Sequence, residues 1–352
     1  MTMANKSRNI QYWSDRWLRL ALLQERRLKP DVERTRKAYD GVQETFNKQL
    51  SEWYEKYADN DGLTYEEAIR DLNKVEQKTW SMELSEFRQK AIDGGYDQEL
   101  NREYYRSRVT RLQMLKTQTA MELAEVAKES GDALHDLLSN EFTENYMRSI
   151  YEVHSQTGKI LDGRIATDFG TYNQTEIDVI LNTDWKGSNF SKRVWKNNIE
   201  ELPAQLEKTL SNGLMNGHSY DMMAKDLNKR FDVARNRAVS LVQTEAKHVR
   251  TQASLLAMLE GGAKRYLFLA TLEVNTCGDC GSLDGKDFAI EDAKPGDNVP
   301  VIHPNCRCTI APFVEEALRS NTRWMRDPVT GKGRRVPRVT FVEWKKKYAE
   351  AA

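Results

Sequence analysis

All four cysteines of this chain lie in one stretch, Tyr266 to Pro312. They form two tight pairs, Cys277-x-x-Cys280 and Cys306-x-Cys308, with His303 three residues before the second pair. Two thiol pairs separated by 25 residues (281–305) are how a chain builds a tetrahedral metal site. Each turn supplies two ligands, and the loop between them brings the turns together. Thiolate suits zinc, and Gly278, Gly281 and Gly285 let backbone fold closely around an ion. Because C-x-C is a rarer zinc spacing than C-x-x-C, His303 is a fifth candidate for four places. The expected metal ligands are therefore Cys277, Cys280, Cys306, Cys308 and His303, with zinc as a structural ion. Two other uses of the sulfurs stay open. One is a pair of disulfides running between the turns, since cysteines one residue apart rarely bond to each other. The other is reduced thiols packed into a core. None of the three provides a catalytic thiol, which needs one activated cysteine rather than a clustered quartet.

A second set of residues suits phosphate. From Arg319 to Lys347 there are ten Lys/Arg against two acids, Asp327 and Glu343, a local excess of eight positive charges. Arg334, Arg335, Arg338, Lys345, Lys346 and Lys347 are the candidate nucleic-acid contacts, with Trp324, Phe341 and Trp344 interleaved as stacking partners. A solvated tail docking on an acidic protein is the competing reading. The first 36 residues also lean basic, with nine Lys/Arg against four acids.

The elements that must position these groups are mostly helices. The chain has 352 residues, enough for two or three domains, yet only 39% are hydrophobic and 30% are charged. A mean hydropathy of −0.73 suits long solvated helices. Net charge is zero, so any attraction to nucleic acid must be local. No apolar run reaches 18 residues, which predicts no membrane span, and the first residues lack the apolar core of a signal peptide, which predicts synthesis and folding in a cytoplasm. A reducing birthplace favours thiols and zinc over disulfides.

In the N-terminal half, Trp13, Trp17 and Leu20 share one helical face. Tyr39, Val42, Phe46, Leu50, Trp53 and Tyr57 then recur at spacings of three and four, the seam of a helix packed on its neighbours. Asp59-Asn60-Asp61-Gly62 breaks that helix, and Thr64-x-x-Glu67 is a capping box that starts the next, with Ala68, Leu72 and Val75 on one face. Asn101 is expected to cap a helix running to about Ser130, with Gly131-Asp132 as a further break before the Leu138, Phe142, Tyr146 and Ile150 stack. A compositional shift near 155–165 suggests a domain boundary. Beyond it, Thr175-x-x-Asp178 opens a short helix ending at Leu181, Ser191 is expected to cap another with Pro203 in its middle, and Ser219 caps a helix carrying Met223, Leu227 and Phe231. A long helix is expected from about Val233 to Glu260, ended by Gly261-Gly262, with Glu245 sheltered on it. No second acid or base accompanies Glu245 at a spacing that suggests catalysis. Tyr266–Ala270 and Thr309–Phe313 read as strands flanking the cysteine turns, forming a small sheet against that helix.

The same C-terminal stretch resembles a known family. Thr276-Cys277-x-x-Cys280, Leu283-Asp284-Gly285-Lys286-x-Phe288 and His303-Pro304-Asn305-Cys306-Arg307-Cys308 are similar to the signature of the phage Mu F-like minor head proteins, the phage head morphogenesis domain. The resemblance extends upstream through Gly262–Tyr266, Gln243-Thr244-Glu245, Ala238, Phe231, Ala224-Lys225-x-Leu227 and Gly217-His218-Ser219 to Trp185–Arg193, covering about residues 165–314. Two departures stand out, since the family pattern has arginine where this chain has Gln243 and where it has Asn275.

The expected fold is mostly α, an elongated N-terminal helical bundle (1–160), then an α+β head-morphogenesis domain (161–314) with a small cysteine-stapled β subdomain, then a basic tail (315–352). The resemblance implies a non-enzymatic minor capsid protein of a tailed bacteriophage, resident in the virion head near the portal vertex. The implied partners are the portal protein, the major capsid or scaffold protein and double-stranded DNA, with roles in head assembly and in DNA packaging or ejection. A zinc-dependent enzyme or toxin-like effector carried in the head is the alternative, and it would need an open metal position and an activating carboxylate.

Overall fold

The computed structural model describes residues 3–58, 62–80, 110–157, 174–182, 196–313 and 322–349, the two-residue strands at 160–161 and 164–165, and a few isolated positions between them. The chain is mostly helical, with a few short strands concentrated toward the C-terminus. The helices are α1 (Met3–Tyr57), α2 (Tyr65–Ala68), α3 (Arg111–Thr157), α4 (Gln174–Asn182), α5 (Leu202–Met215), α6 (Tyr220–Glu260), α7 (Gly278–Leu283) and α8 (Phe341–Trp344). The strands are β1 (Ile160–Leu161), β2 (Arg164–Ile165), β3 (Arg265–Leu269), β4 (Asp287–Ala289), β5 (Thr309–Pro312), β6 (Thr322–Arg326) and β7 (Gly333–Pro337). Among the described residues, no helix is long and apolar enough to cross a membrane.

Residues 31–135 and 190–241 make one compact unit. Its core is the α1 seam, with Tyr39, Val42, Phe46, Leu50, Trp53 and Tyr57 all buried, against Leu202, Leu206 and Leu210 of α5 and Met223, Leu227 and Phe231 of α6. Phe46 and Phe231 meet with ring centroids 5.1 Å apart. The Thr64–Glu67 capping box forms, but α2 lasts a single turn. A bridge from Asp71 to Thr110 follows it, and Asn73 then caps a separate helical segment at 74–80 through the amides of Val75 and Glu76. The expected shared face therefore splits. Leu72 is buried whereas Val75 is 75% exposed. Pro203 sits in the first turn of α5, where a missing N–H costs nothing, rather than mid-helix.

Residues 1–30, 136–189 and 242–352 make the other unit. The expected break at Gly131-Asp132 does not occur, because α3 runs through it without interruption. Leu138, Phe142, Tyr146 and Ile150 are buried on α3 as their spacing predicts. Beside them lies a polar seam, in which Glu141 accepts from Arg250 Nε at 2.6 Å and Asn145 Nδ2 donates to the Arg250 carbonyl and to Ser254 Oγ. Helix α6 begins at Tyr220, earlier than the expected Val233, because the Ser219-capped segment and the long helix are one element. Small residues Ala246, Ala253 and Ala257 lie buried along it with Val249. It ends at Gly262, whose φ of +83° closes the helix while Ala263 N–H bonds back to the Met258 carbonyl. The expectations at Asn101 and Ser191 fall outside the described residues.

The strands flanking the cysteine turns pair into a sheet as expected, and they run antiparallel, Tyr266 opposite Pro312 and Leu269 opposite Thr309. Strand β4 adds to the other edge of β3, giving the order β4-β3-β5. Met258 near the end of α6 packs with Tyr266, Ile290, Val299 and Ile310 beneath this sheet. The basic tail is folded. Strands β6 and β7 form a hairpin with Thr322 opposite Pro337, and α8 follows behind a Thr340–Glu343 capping box. Leu272, Met325, Val336, Phe341 and Trp344 form its core.

Candidate metal centre

The first cysteine turn begins where β3 ends. Thr276 Oγ1 donates to the Thr271 carbonyl at 2.5 Å, tightening the chain so that Cys277 becomes the N-cap of α7. The Cys277 sulfur accepts the Cys280 amide at 3.4 Å, and one turn of helix then carries Cys280 inward until it is 1% exposed. Gly285, with φ of +77°, reverses the chain, and its amide reaches the Phe268 carbonyl in β3. The second turn is His303-Pro304-Asn305-Cys306, closed by the Cys306 amide on the His303 carbonyl at 3.1 Å. Asn305 takes a left-handed φ of 61°, and its amide donates to Thr244 Oγ1 of α6, tying the turn to the long helix.

These two turns converge. Cys280 Sγ lies 3.8 Å from Cys306 Sγ and 3.4 Å from His303 Nε2. The donor atoms of Cys277, Cys280 and His303 all lie within 4.8 Å of one another, as do those of Cys280, Cys306 and Cys308. Cys280 belongs to both sets. All four cysteines are free thiols, so the disulfide alternative is not what the structure contains.

The spacing fits zinc. A tetrahedron with Zn–S of about 2.3 Å has a sulfur–sulfur edge of roughly 3.8 Å, and one with Zn–N of about 2.0 Å has a mixed edge of roughly 3.5 Å. The Cys280–Cys306 and Cys280–His303 separations sit on those two edges. His303 Nδ1 lies 2.8 Å from the Pro304 carbonyl, so that nitrogen carries the proton and donates it. Nε2 is left with its lone pair toward Cys280, the second-sphere arrangement that orients a ligating imidazole. Phe268, Ala270, Val301 and Ile302 pack around Cys280, Cys306 and Cys308, and this apolar shell limits water.

The electrostatics favour the anionic form at one sulfur, Cys306. Hydrogen bonds from Cys280 and then Cys308 hold the Cys306 thiol well below the ordinary thiol range, while the bond to Cys306 pushes Cys280 above it, and Cys308, lowered by Cys280 but raised by Cys306 and by burial, also ends above it. Burial depresses the pKa of Lys247 on α6, and the charges of Cys306 and Cys308 oppose that shift. Neither Lys247 nor the anchoring role of Thr244 is visible in spacing alone, because both depend on where the second cysteine turn meets α6, 61 residues away from Thr244. Glu245 is buried and partnered, and among the described residues no carboxylate joins either donor set.

The candidate phosphate contacts lie on β7, just after it at Arg338, and on the helical segment Lys345–Ala349 beyond α8. Arg334 pairs with Asp327 at 3.0 Å and sits over the Tyr348 ring at 5.4 Å, while Lys347 approaches the same ring at 5.5 Å. Arg334 and Lys347 thus share one aromatic neighbour, Tyr348. Arg335 donates to Thr322 Oγ1 across the hairpin, and Arg338, Lys345 and Lys346 are exposed. Phe341 and Trp344 are core residues and present no stacking face. Trp324 is half-buried, its indole lying over Gly333, where an added Cβ would come within 2.4 Å of Cζ2.

Comparison with known proteins bears on the same stretch. Residues 204–311 match the family described as Phage Mu protein F like protein. The chain carries a Phage Mu F-like segment. That segment includes most of α5, all of α6, β3 and β4, β5 except its last residue, and all five candidate ligands, while Trp185–Arg193 falls outside it. The chain is also similar to the Minor head protein GP7 of Bacillus phage SPP1, with 24% identity over 228 residues, which is 60% of this chain and 71% of that protein. No solved structure matches. Within the Mu F-like segment, Asp284 of the Leu-Asp-Gly-Lys motif proves to be a buried junction whose role the sequence does not announce.

Proposed function

We propose that this chain is a minor head protein of a tailed bacteriophage, built around a structural zinc module. The observation that carries the reading is the Mu F-like match over residues 204–311, together with the convergence of the two cysteine turns inside it. The similarity to a protein named as a minor head protein supports the same assignment. Residues 161–314 act as the head-morphogenesis module, 1–160 as the helical region facing the portal protein and the major capsid or scaffold protein, and 315–352 as the basic part. The protein resides in the head interior near the portal vertex, and its exposed Arg334, Arg338 and Lys345–Lys347 contact packaged double-stranded DNA during packaging or ejection.

Zinc is read as structural. Five sulfur and imidazole donors in two sets sharing Cys280 could supply all four ligands of a closed shell, and among the described residues no carboxylate joins either set to activate water. Bound zinc would supply a rigid tetrahedral node. Cys280, Cys306 and Cys308 would hold it from three sides, with Cys277 or His303 as the fourth. Apparent zinc affinities of this kind are worth about 10–16 kcal/mol, comparable with the whole stability of a domain. The test is to purify phage particles on gradients, then quantify this chain, the portal protein and zinc in the same fractions. Co-sedimentation with heads and recovery in portal complexes is expected; absence from both sinks the assignment.

A further inference from the structure

Both cysteine turns are wired to the basic hairpin. From the first turn, Gly281 directly follows Cys280, a candidate ligand, and the Phe341 ring packs against it, so that an added Cβ would meet Cδ1 at 2.3 Å. Three residues further, Asp284 is a buried carboxylate taking four hydrogen bonds. Oδ1 accepts from the Ala270 amide and from Arg323 Nη2, and Oδ2 accepts from Arg323 Nη1 and the Phe341 amide, all at 2.6–2.8 Å. Arg323 belongs to β6, and its remaining donors reach the carbonyls of Ala270 and Val339. One side chain therefore fixes the start of the hairpin, the entry to α8 and the end of β3 to the loop that follows Cys280.

The second turn has its own tie. Arg307 lies between the ligands Cys306 and Cys308 and pairs with Glu273 at 3.1 Å. Glu273 is buried and also pairs with Arg326, the last residue of β6, at 3.3 Å. The Arg326 amide donates to the Leu272 carbonyl at 2.9 Å, beside that carboxylate. The hairpin is thus held at both ends of β6, at Arg323 by the loop after Cys280 and at Arg326 by the Cys306-Arg307-Cys308 turn through Glu273. Those two loops are joined to each other by sulfur and imidazole donors.

We propose that metal occupancy of the cysteine cluster controls the order of the β6–β7 hairpin and α8, so that the basic face is presented as one rigid surface only when the cluster is filled. Buried ion pairs hold only while their geometry holds. Without the ion, the donor atoms of the two turns meet only through thiol and imidazole contacts, and β3, the Thr271 Oγ1 bond to the Arg307 carbonyl and the Arg307–Glu273 pair are left to hold the Asp284–Arg323 and Glu273–Arg326 ties in one frame. The consequence for DNA rests on the reading of that face given above; the coupling itself does not.

The experiment uses the full-length chain, zinc-loaded or stripped by chelation, and reads backbone hydrogen exchange in peptides covering 322–348. Stripping is expected to speed exchange there by roughly tenfold or more, while peptides from 202–231 keep their protection. An Asp284→Asn, Glu273→Gln variant is expected to keep stoichiometric zinc yet exchange rapidly at 322–348 in both states. Identical exchange with and without zinc in the unaltered chain overturns the proposal. So does equal loss of protection at 202–231, since the ion would then act on the whole molecule. A short random-sequence DNA duplex is the second probe. Binding that weakens about tenfold on stripping and also weakens in Lys345→Ala, Lys346→Ala, Lys347→Ala, with exchange unchanged by those substitutions, joins the coupling to the DNA reading. If exchange responds to zinc but no duplex binds in either state, the coupling stands and the DNA reading falls.

Discussion

Replacing Gly281 with alanine isolates one contact between the cysteine module and the C-terminal helix. The new Cβ would stand 2.3 Å from Phe341 Cδ1, 2.6 Å from Cε1 and 3.3 Å from Cγ. Ordinary contact needs about 3.5 Å or more, so the ring must retreat by roughly 1 Å. It has little room to do so. The Phe341 amide is bonded to Asp284 Oδ2 at 2.8 Å, and the ring stacks on Trp344, which is fully buried, at 5.7 Å. Overpacking of this kind costs about 1–3 kcal/mol, which converts to roughly a 5- to 150-fold rise in opening of α8. Gly281 contributes no ligand atom, so zinc content should stay unchanged. Hydrogen exchange over 341–348 reads the opening directly, and urea unfolding reads any global loss. Adding Phe341→Leu, which shortens the offending side chain, should recover part of the loss in a double-mutant cycle. Unchanged exchange at 341–348 in Gly281→Ala would refute the packing argument, because the geometry leaves no way to absorb a methyl without cost.

The other expectations concern the two cores and the donor set. Arg250→Ala leaves Glu141 buried without its 2.6 Å partner and should cost about 3–5 kcal/mol in urea unfolding, whereas the joint replacement Glu141→Leu with Arg250→Met should cost far less. Phe231→Ala removes a fully buried ring in contact with Phe46 and should cost about 3–5 kcal/mol, while Val75→Ala, at a position 75% exposed, should stay within about 0.5 kcal/mol. Cys280→Ser removes the donor common to both sets and should abolish zinc retention measured by metal analysis, but Cys277→Ser and His303→Ala should each retain most of it, since either can complete the shell. Zinc affinity measured by chelator competition should rise with pH, because the thiols must lose protons to bind and acidification returns those protons.

How much of this was readable beforehand varies with the kind of signal. The α1 seam was legible because three-and-four spacing of large apolar residues has one solution, a buried helix face, and Tyr39 through Tyr57 occupy it. The strands beside the cysteine turns were legible for a similar reason, being short apolar runs bounded by glycine turns. Helix punctuation was less so. Gly131-Asp132 reads as a break, yet α3 passes through it because a glycine inside a helix costs only about 1 kcal/mol, less than the burial on either side returns. The opposite error occurred at Leu72 and Val75, where continuing the α2 period overlooked Asn73 as a cap for a new segment. At the metal centre, the five donors could be named from spacing, but their division into two sets sharing Cys280 depends on where α7 and the Asn305 turn aim their side chains.

Charge counting was the weakest guide, and the reason is general. An excess of basic residues says what a segment contains, not what those residues are doing. Arg323, counted with the rest, is spent inside the fold on a carboxylate whose side chain is 1% exposed, and Arg326 is drawn to Glu273, which lies before the first cysteine and outside any window placed on the tail. Arg334 is partly neutralised by Asp327, whose own pKa is lowered chiefly by the Thr330 amide that closes the hairpin turn. The aromatics divide in the same way, with Phe341 and Trp344 building the core that lets the segment fold at all. What faces solvent is a smaller group, centred on Lys332, Arg338 and Lys345–Lys347, carried on a scaffold made from the arginines and aromatics that composition alone would have assigned to DNA. A surface assembled this way owes its rigidity to buried ionic ties, and those ties lead back to the residues between and beside the cysteines. The chemistry at the sulfurs and the shape of the basic face are therefore parts of one structural problem.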